Sequence, residues 1–477
     1  MNSEQNITSP QLATLKGIAA VYFIGIGGIG MSALARYFHS KGTRVSGYDR
    51  TSTELTQQLE KEGMFIHYSD DVSLAPKDVD IVVYTPAIPS DHQELVFYRE
   101  NDYKVVKRSD VLQAISADSY NICIAGTHGK TTISTMTAHM LRHTGYGCNA
   151  FLGGICVNYH TNFWSSEENV CVIEADEYDR SFLKLSPDIA VITSMDADHL
   201  DIYGDEKSMQ DAFVDFSNQV RGDGLLIGKF GLKRISESKA ARKQTYSLQN
   251  DAADIYASNI RIHEGGYVFD AQLKTKILSQ LELNIGGMHN VENMLVAIAI
   301  ASELGIDEEK IKAAVADFKG VKRRFEYIIP PQKQQEGGYV QPVLIDDYAH
   351  HPEELKALLR SVRSLFPQRV LTVVFQPHLF TRTRDLADGF AEVLSMADQL
   401  ILLPIYPARE KPLPGVTSEM IMDKIQDDKA RVMQKEQMLQ WMQDHDLNKE
   451  FGEVIVMAGA GDIDALVPKV KTIIENK

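Results

Sequence analysis

An apolar run at residues 120–125 gives way to Gly126-Thr127-His128-Gly129-Lys130-Thr131-Thr132 and then to a segment that reads as helix. These residue types could hold a polyphosphate. The glycines free backbone N–H groups, Lys130 is a point charge for terminal phosphates, Thr131 offers a hydroxyl to magnesium, and the start of the helix adds positive potential. A Walker loop would carry a glycine where this chain has Ile124. Downstream, Glu174-Ala175-Asp176-Glu177 follows the apolar run 170–173, and Asp196-Ala197-Asp198-His199 follows 189–193. If these runs are parallel strands of one doubly wound sheet, their C-terminal ends meet at one crevice, which makes Glu174 and His199 metal candidates. Taken alone, each cluster reads as a solvated acidic loop and His199 as a surface histidine.

A second anion cradle lies nearer the N-terminus. The stretch GIGGIG places Gly25, Gly27, Gly28 and Gly30 between an apolar run and a helical pattern, and Asp49 follows about 20 residues later at the end of another short apolar run. Small residues let the backbone approach a diphosphate, and the helix start supplies donors. This asks for a diphosphate without specifying nicotinamide, and a tight strand-to-helix turn is the plain structural alternative.

These residues need elements to position them. The first series (Val21–Ile24, Arg44–Gly47, Ile81–Tyr84, Val105–Lys107) extends to about residue 117, and the second begins at Ile122. Short alternating strands between about 224 and 286 suggest an antiparallel annex, followed by GMHN and a helix from Val291 that opens with His289, Asn290 and Asn293 nearby. A third series starts past Arg324. Its strands end in Asp346-Asp347-Tyr348-Ala349-His350-His351, in Gln376-Pro377-His378, near Tyr406 and Arg409, and in the GAGD run that closes on Asp462. Polar residues after four successive strands point to one functional edge. The expected fold is α/β with three domains: a Rossmann-like N-terminal domain (1–117), a central P-loop ATPase domain with a mostly parallel sheet and a small antiparallel annex (118–324), and a C-terminal Rossmann-like α/β domain (325–477).

Composition agrees. A chain of 477 residues is too long for one core. Its 44% hydrophobic and 24% charged content is that of a globular protein. A net charge of −16 argues against a general nucleic-acid or anionic-membrane binder. The apolar stretch 17–35 holds five glycines in a turn pattern and no basic run precedes it, so no membrane insertion is expected. Four cysteines without C-x-x-C spacing fit a reducing cytoplasm.

The strings GIGGIGMS, GTHGKTT, EADEYDRSF, ADHLD, GMHNVEN, RRFE, DDYAHHP, FQPH, TRTRDL, AREKP and GAGD occur in the order seen in the ATP-dependent Mur amide ligases of peptidoglycan synthesis. From Ile24 to Asp464 the chain resembles that family, above all its alanine-adding branch. The resemblance implies three substrates, UDP-N-acetylmuramate, ATP and L-alanine, with Mg2+ or Mn2+ as cofactor, in a cytoplasmic monomer or weak homodimer. It implies that the γ-phosphoryl group of ATP activates the muramoyl carboxylate as an acyl phosphate, which the amine of alanine then attacks. Domain closure is expected to exclude water.

Site residues follow from the same resemblance. Gly25, Gly27, Gly28, Gly30 and Asp49 would serve the UDP-sugar. Gly126, Thr127, His128, Gly129, Lys130, Thr131, Thr132, His289, Asn293, Arg324 and Asp346 would serve ATP. Thr131, Glu174 and His199 would hold metal. Tyr348, His378 and Arg382 would face the amino acid, and Lys130, Glu174, His199, His350 and Arg382 would carry the catalysis. Two departures stand out. Ligases that add the second and third amino acids place a carbamoylated lysine where this chain has Phe213, so no such bridge is expected. Many relatives carry arginine after Gln-Pro-His, but here Leu379 follows, so Arg382 is the expected carboxylate anchor, with Arg384 and Arg409 in reserve.

An NAD-dependent oxidoreductase would use the first cradle but leaves Lys130, Glu174 and His199 unexplained. A P-loop switch ATPase leaves the first cradle unexplained. Within the family, the muropeptide-recycling ligase tends to carry a different first glycine turn.

Overall fold

Strand Ala20–Ile24 is apolar throughout and buried at every position, as a central parallel strand covered on both faces must be. In a computed structural model that describes residues 15, 17–196, 200–332, 340–408, 410–425 and 428–477, it is the middle of a five-stranded sheet. The order is Phe65–His67, Arg44–Tyr48, Ala20–Ile24, Ile81–Tyr84, Val105–Lys107, all parallel. Strand order reverses at Ala20–Ile24, so the crevice of this doubly wound sheet opens over the glycine turn. Helix Ile29–Ser40 follows that turn and buries Met31, Leu34, Ala35 and Phe38, the three-to-four spacing of an apolar face.

The chain forms two compact units, one made of the chain up to Ile155 with Tyr159–Tyr256 and Asn293–Ala314, the other of Cys156–Asn158, Ala257–Glu292 and Val315–Lys477. The first unit therefore contains both glycine turns. Besides the five-stranded sheet it holds strands in the order Arg242–Ser247, Leu225–Lys229, Ile189–Ile192, Tyr120–Ala125, Val170–Glu174, Asn149–Cys156, parallel at each of these pairings. Helix Lys130–His143 is buried along most of its length, which explains its run of small and β-branched residues. Phe213 is fully buried, edge-on to Phe182, so its position belongs to the core.

In the second unit the annex pairs Gly266–Gln272 antiparallel to Ile277–Leu283. A six-stranded sheet runs Glu326–Ile329, Val343–Asp347, Glu453–Ala458, Val370–Phe375, Gln399–Leu402, Ala430–Val432, parallel except at its first pair. The strand expected to end near Tyr406 stops at Leu402. Pro404 follows shortly, and it has no N–H for a ladder.

The three sheets match the expected α/β class. Among the described residues no helix is long and apolar enough to cross a membrane, and all four cysteines are free and buried.

Candidate functional site

The phosphate-loop residues form a tight strand-to-helix turn. Gly126 has φ +128°, and a Cβ there would sit 2.0 Å from the Thr193 hydroxyl, so both conformation and space require glycine. Gly129, at φ +83°, is the N-cap of helix Lys130–His143. The loop is tied to the end of strand Ile189–Ile192. Ser194 Oγ accepts the His128 N–H at 2.9 Å and lies 2.7 Å from Thr127 Oγ1, and the Thr193 hydroxyl donates to the His128 carbonyl. His128 itself points outward, 3.8 Å from Asp196. Asn293 Oδ1 lies 3.3 Å from the position of a Cβ on Gly129, which brings Asn293 to the loop.

Lys130 turns back over its own loop. Its Nζ donates to the Gly126 carbonyl at 2.7 Å and to Glu177 Oε1 at 2.8 Å. Glu177 is 1% exposed and Lys130 14%. Burial raises the pKa of Glu177, opposed by the adjacent ammonium.

Strand register brings Glu174 beside Ile124, and its carboxylate spans three donors. Thr131 Oγ1 donates to Oε1 at 2.9 Å, the Gly153 N–H to Oε2 at 2.9 Å, and Ser134 Oγ to Oε2 at 3.4 Å. A Cβ on Gly153 would fall 2.3 Å from Oε2. The donor set, one carboxylate and one hydroxyl at the mouth of a phosphate loop, fits Mg2+, which takes one or two protein oxygens and completes its shell with water and phosphate. No cluster of three metal-ligating His, Cys, Asp or Glu side chains occurs among the described residues. His199 lies outside the described residues.

A cavity of about 300 Å³ lies between the first glycine turn and Glu174. Gly28, Gly30, Arg108 and Ser109 line it on one side, and Gly153, Glu174 and Asp176 on the other. Arg108 presses on the first turn, its Nη1 lying 2.8 Å from where a Gly30 Cβ would be, and its Nη2 lies 3.4 Å from Asp176. Asp49 buttresses the same turn, accepting the Gly27 N–H at 2.8 Å and the Thr51 N–H at 3.3 Å. The turn is also fastened across the sheets. Asn162, fully buried, donates to the Ile29 carbonyl at 2.5 Å and to Ser32 Oγ at 3.0 Å, and accepts from Arg36 Nη1 at 2.5 Å. Arg36 in turn grips Glu62 with paired bonds of 2.8 Å.

In the second unit, adjacent strand ends converge. Asp346 is buried and lies 3.7 Å from Arg323, which also reaches Asp464 at 3.4 Å. Burial pushes the Asp346 carboxyl up to about 7 against the pull of Arg323. Asp347 is likewise pushed up by burial, to about 6, opposed by the Phe325 and Ala349 N–H groups it accepts. His378 stacks on Tyr406 with centroids 5.9 Å apart and meets His350 edge-on at 5.8 Å. His350 Nδ1 lies 3.0 Å from the Tyr348 carbonyl, and burial lowers its pKa. Leu379 holds φ +69° as the N-cap of helix Phe380–Leu394, and one turn on, Arg382 Nη1 is buried without a hydrogen-bond partner among the described residues. Arg324 and His289 are exposed. Arg409 lies outside the described residues.

Glu177, Gly153, Arg108 and the Arg36–Asn162 pair were not assigned roles from sequence. Glu177 stood inside the quoted acidic run, but no spacing marks it there as the buried partner of Lys130. Gly153 sits in strand Asn149–Cys156, whose sequence does not mark it for a role.

Three family models match in chain order: the Mur ligase family catalytic domain at residues 20–120, the Mur ligase middle domain at 124–301, and the Mur ligase glutamate ligase domain at 323–461. A UDP-N-acetylmuramate--L-alanine ligase of Christiangramia forsetii is 45% identical over 463 residues, covering 96% of this chain and 98% of that protein. One of Parabacteroides distasonis is 47% identical, covering 96% and 97%. Among solved structures, the UDP-N-acetylmuramate-alanine ligase of Thermotoga maritima superposes with a TM-score of 0.78 at 28% identity, covering 96% of this chain and 98% of that one.

Proposed function

This chain belongs to the Mur ligase family, and we propose that it joins L-alanine to the carboxylate of UDP-N-acetylmuramate with cleavage of ATP to ADP and phosphate. The observation that carries the reading is the cavity shared by the first glycine turn and Glu174. A UDP-sugar held by its diphosphate at one end can present its carboxylate to the terminal phosphate of ATP at the other.

Chemistry explains why two cradles are needed. A carboxylate does not acylate an amine near neutral pH, because oxide would have to leave. Transfer of the γ-phosphoryl group forms a bond from carboxylate oxygen to phosphorus and breaks the bond to ADP. The amine then adds to the acyl carbon, loses a proton, and the tetrahedral intermediate expels phosphate. Such a transfer depends on positioning and charge neutralisation. The loop from Gly126 to Thr132, with Asn293 beside it, takes the triphosphate. Lys130 meets the terminal phosphate. Thr131 and Glu174 would hold Mg2+, which neutralises charge on the transferring group when bound.

Gly25, Gly27, Gly28 and Gly30 receive the diphosphate, with Asp49 fixing the turn. We assign His289, Arg324 and Asp346 to the nucleotide and Tyr348, His350, His378 and Arg382 to the amino acid, the last as carboxylate anchor. The divisions near residues 117 and 324 separate UDP-sugar, ATP and amino-acid functions. A cytoplasmic monomer or weak homodimer is the form we assign. The test is phosphate release from ATP with UDP-N-acetylmuramate, each amino acid being supplied in turn. Release with alanine far above release with any other is expected. Equal release with every amino acid, or none with alanine, rejects the assignment.

A further inference from the structure

Lys130 does not wait for phosphate with a free side chain. A lysine ammonium has three N–H directions on a long flexible stem. Here one is taken by the Gly126 carbonyl at 2.7 Å and another by Glu177 Oε1 at 2.8 Å. Glu177 is essentially inaccessible to solvent, and the Tyr203 hydroxyl fixes its backbone by donating to the Glu177 carbonyl at 2.6 Å. A buried carboxylate next to a triphosphate site would repel the nucleotide unless a cation stood between them. The lysine is that cation.

We propose that Glu177 is a positioning residue for phosphoryl transfer. With the Gly126 carbonyl it mounts the Lys130 ammonium, so that the third N–H is held ready for the terminal phosphate and the lysine stays on its mount throughout the reaction. A group aimed in advance needs no reorganisation at the moment of transfer, which is where fixed charges act most strongly. The inference rests on reading residues 126–132 as the ATP loop. It assigns Glu177 no contact with substrate.

The test compares Glu177→Gln and Glu177→Asp with the parent in the full-length enzyme. A mount that acts on the transition state requires kcat to fall at least about thirtyfold in Glu177→Gln while the KM for ATP stays within about threefold. Glu177→Asp, which keeps the charge at shorter reach, should recover a substantial part of that loss. The affinity for UDP-N-acetylmuramate and the melting temperature report on folding. If Glu177→Gln does not fold, Glu177→Asp carries the test, with a lowered kcat at constant KM expected. A kcat within about twofold of the parent overturns the inference, whether KM falls, as for a carboxylate that competes with ATP for the lysine, or only the melting temperature falls, as for a structural residue. Lys130→Ala is measured alongside. Near-normal turnover there rejects the ATP-loop reading itself, whereas an inactive Lys130→Ala with a fully active Glu177→Gln rejects only the role of Glu177.

Discussion

Replacing Gly153 by alanine adds one methyl group, and the structure says what that methyl meets. Its carbon would lie 2.3 Å from Glu174 Oε2, 2.4 Å from Oε1 and 2.5 Å from Cδ, where ordinary contact begins at 3.4 Å. The backbone at Gly153 is not in the left-handed region, so the strand itself accepts alanine. The carboxylate must therefore retreat by 3.4 minus 2.3, about 1 Å. Its bonds to Thr131 and to the Gly153 N–H, both 2.9 Å, would then be stretched beyond useful length. A misplacement of about 1 Å at a reacting centre costs on the order of a hundredfold in rate, roughly 2.7 kcal/mol of barrier. The assay is kcat as a function of Mg2+ concentration, with thermal melting as the control. Gly153→Ala should lose about a hundredfold in kcat and need more Mg2+ for half-maximal rate, with little change in melting temperature. A kcat within about threefold of the parent and an unchanged Mg2+ requirement would refute the placement of Glu174 at the metal.

Other residues give separate tests. Arg382→Lys keeps the charge but loses the planar fork, and should raise the KM for alanine at least about tenfold, roughly 1.4 kcal/mol, with the KM for ATP nearly unchanged in initial-rate measurements. Asn162→Ala removes the donor to the Ile29 carbonyl and strands Arg36 Nη1. It should weaken UDP-N-acetylmuramate binding in titration calorimetry and lower the melting temperature, since an unsatisfied buried group costs about 1–3 kcal/mol. Glu94 is fully buried, accepts from Tyr22 at 2.5 Å, and is pushed by burial up to about 7. A carboxyl raised in the folded state contributes stability at low pH that is lost as pH climbs through that value. Glu94→Gln should therefore raise the melting temperature at pH 8 relative to the parent and change it little at pH 5.

Much of the site was legible because its chemistry is local. Gly126 and Gly129 do what the sequence pattern requires, one through lack of space and both through positive φ, and Lys130 follows at once. The runs 174–177 and 196–199 were expected to converge on that loop from parallel strand ends, and the registers Ile124 with Glu174 and Ala125 with Ile192 carry residues 174–177 and 193–196 to it. What could not be read is long-range pairing without a spacing signature. Glu177 lies 47 residues from Lys130, and Asn162 lies 126 from Arg36. Nothing local distinguishes these polar residues from solvated ones. Strands Asn149–Cys156 and Thr161–Trp164 went unassigned because glycines and polar residues interrupt their apolar character. Each of the three residue ranges expected as domains holds one sheet. Their packing into two compact units depends on contacts such as Asn162 with Ile29, which link residues far apart in the chain.

The central claim is that one cavity brings the sugar carboxylate to the terminal phosphate of ATP. The direct measurement is the fate of oxygen-18 placed in the carboxylate of UDP-N-acetylmuramate during turnover with ATP and L-alanine. Phosphoryl transfer to that carboxylate, followed by expulsion of phosphate, carries one labelled oxygen into the inorganic phosphate released, and mass analysis should find it there in step with amide formed. Amide formation with no label in the phosphate would contradict the account, since the carboxylate would then have been activated some other way.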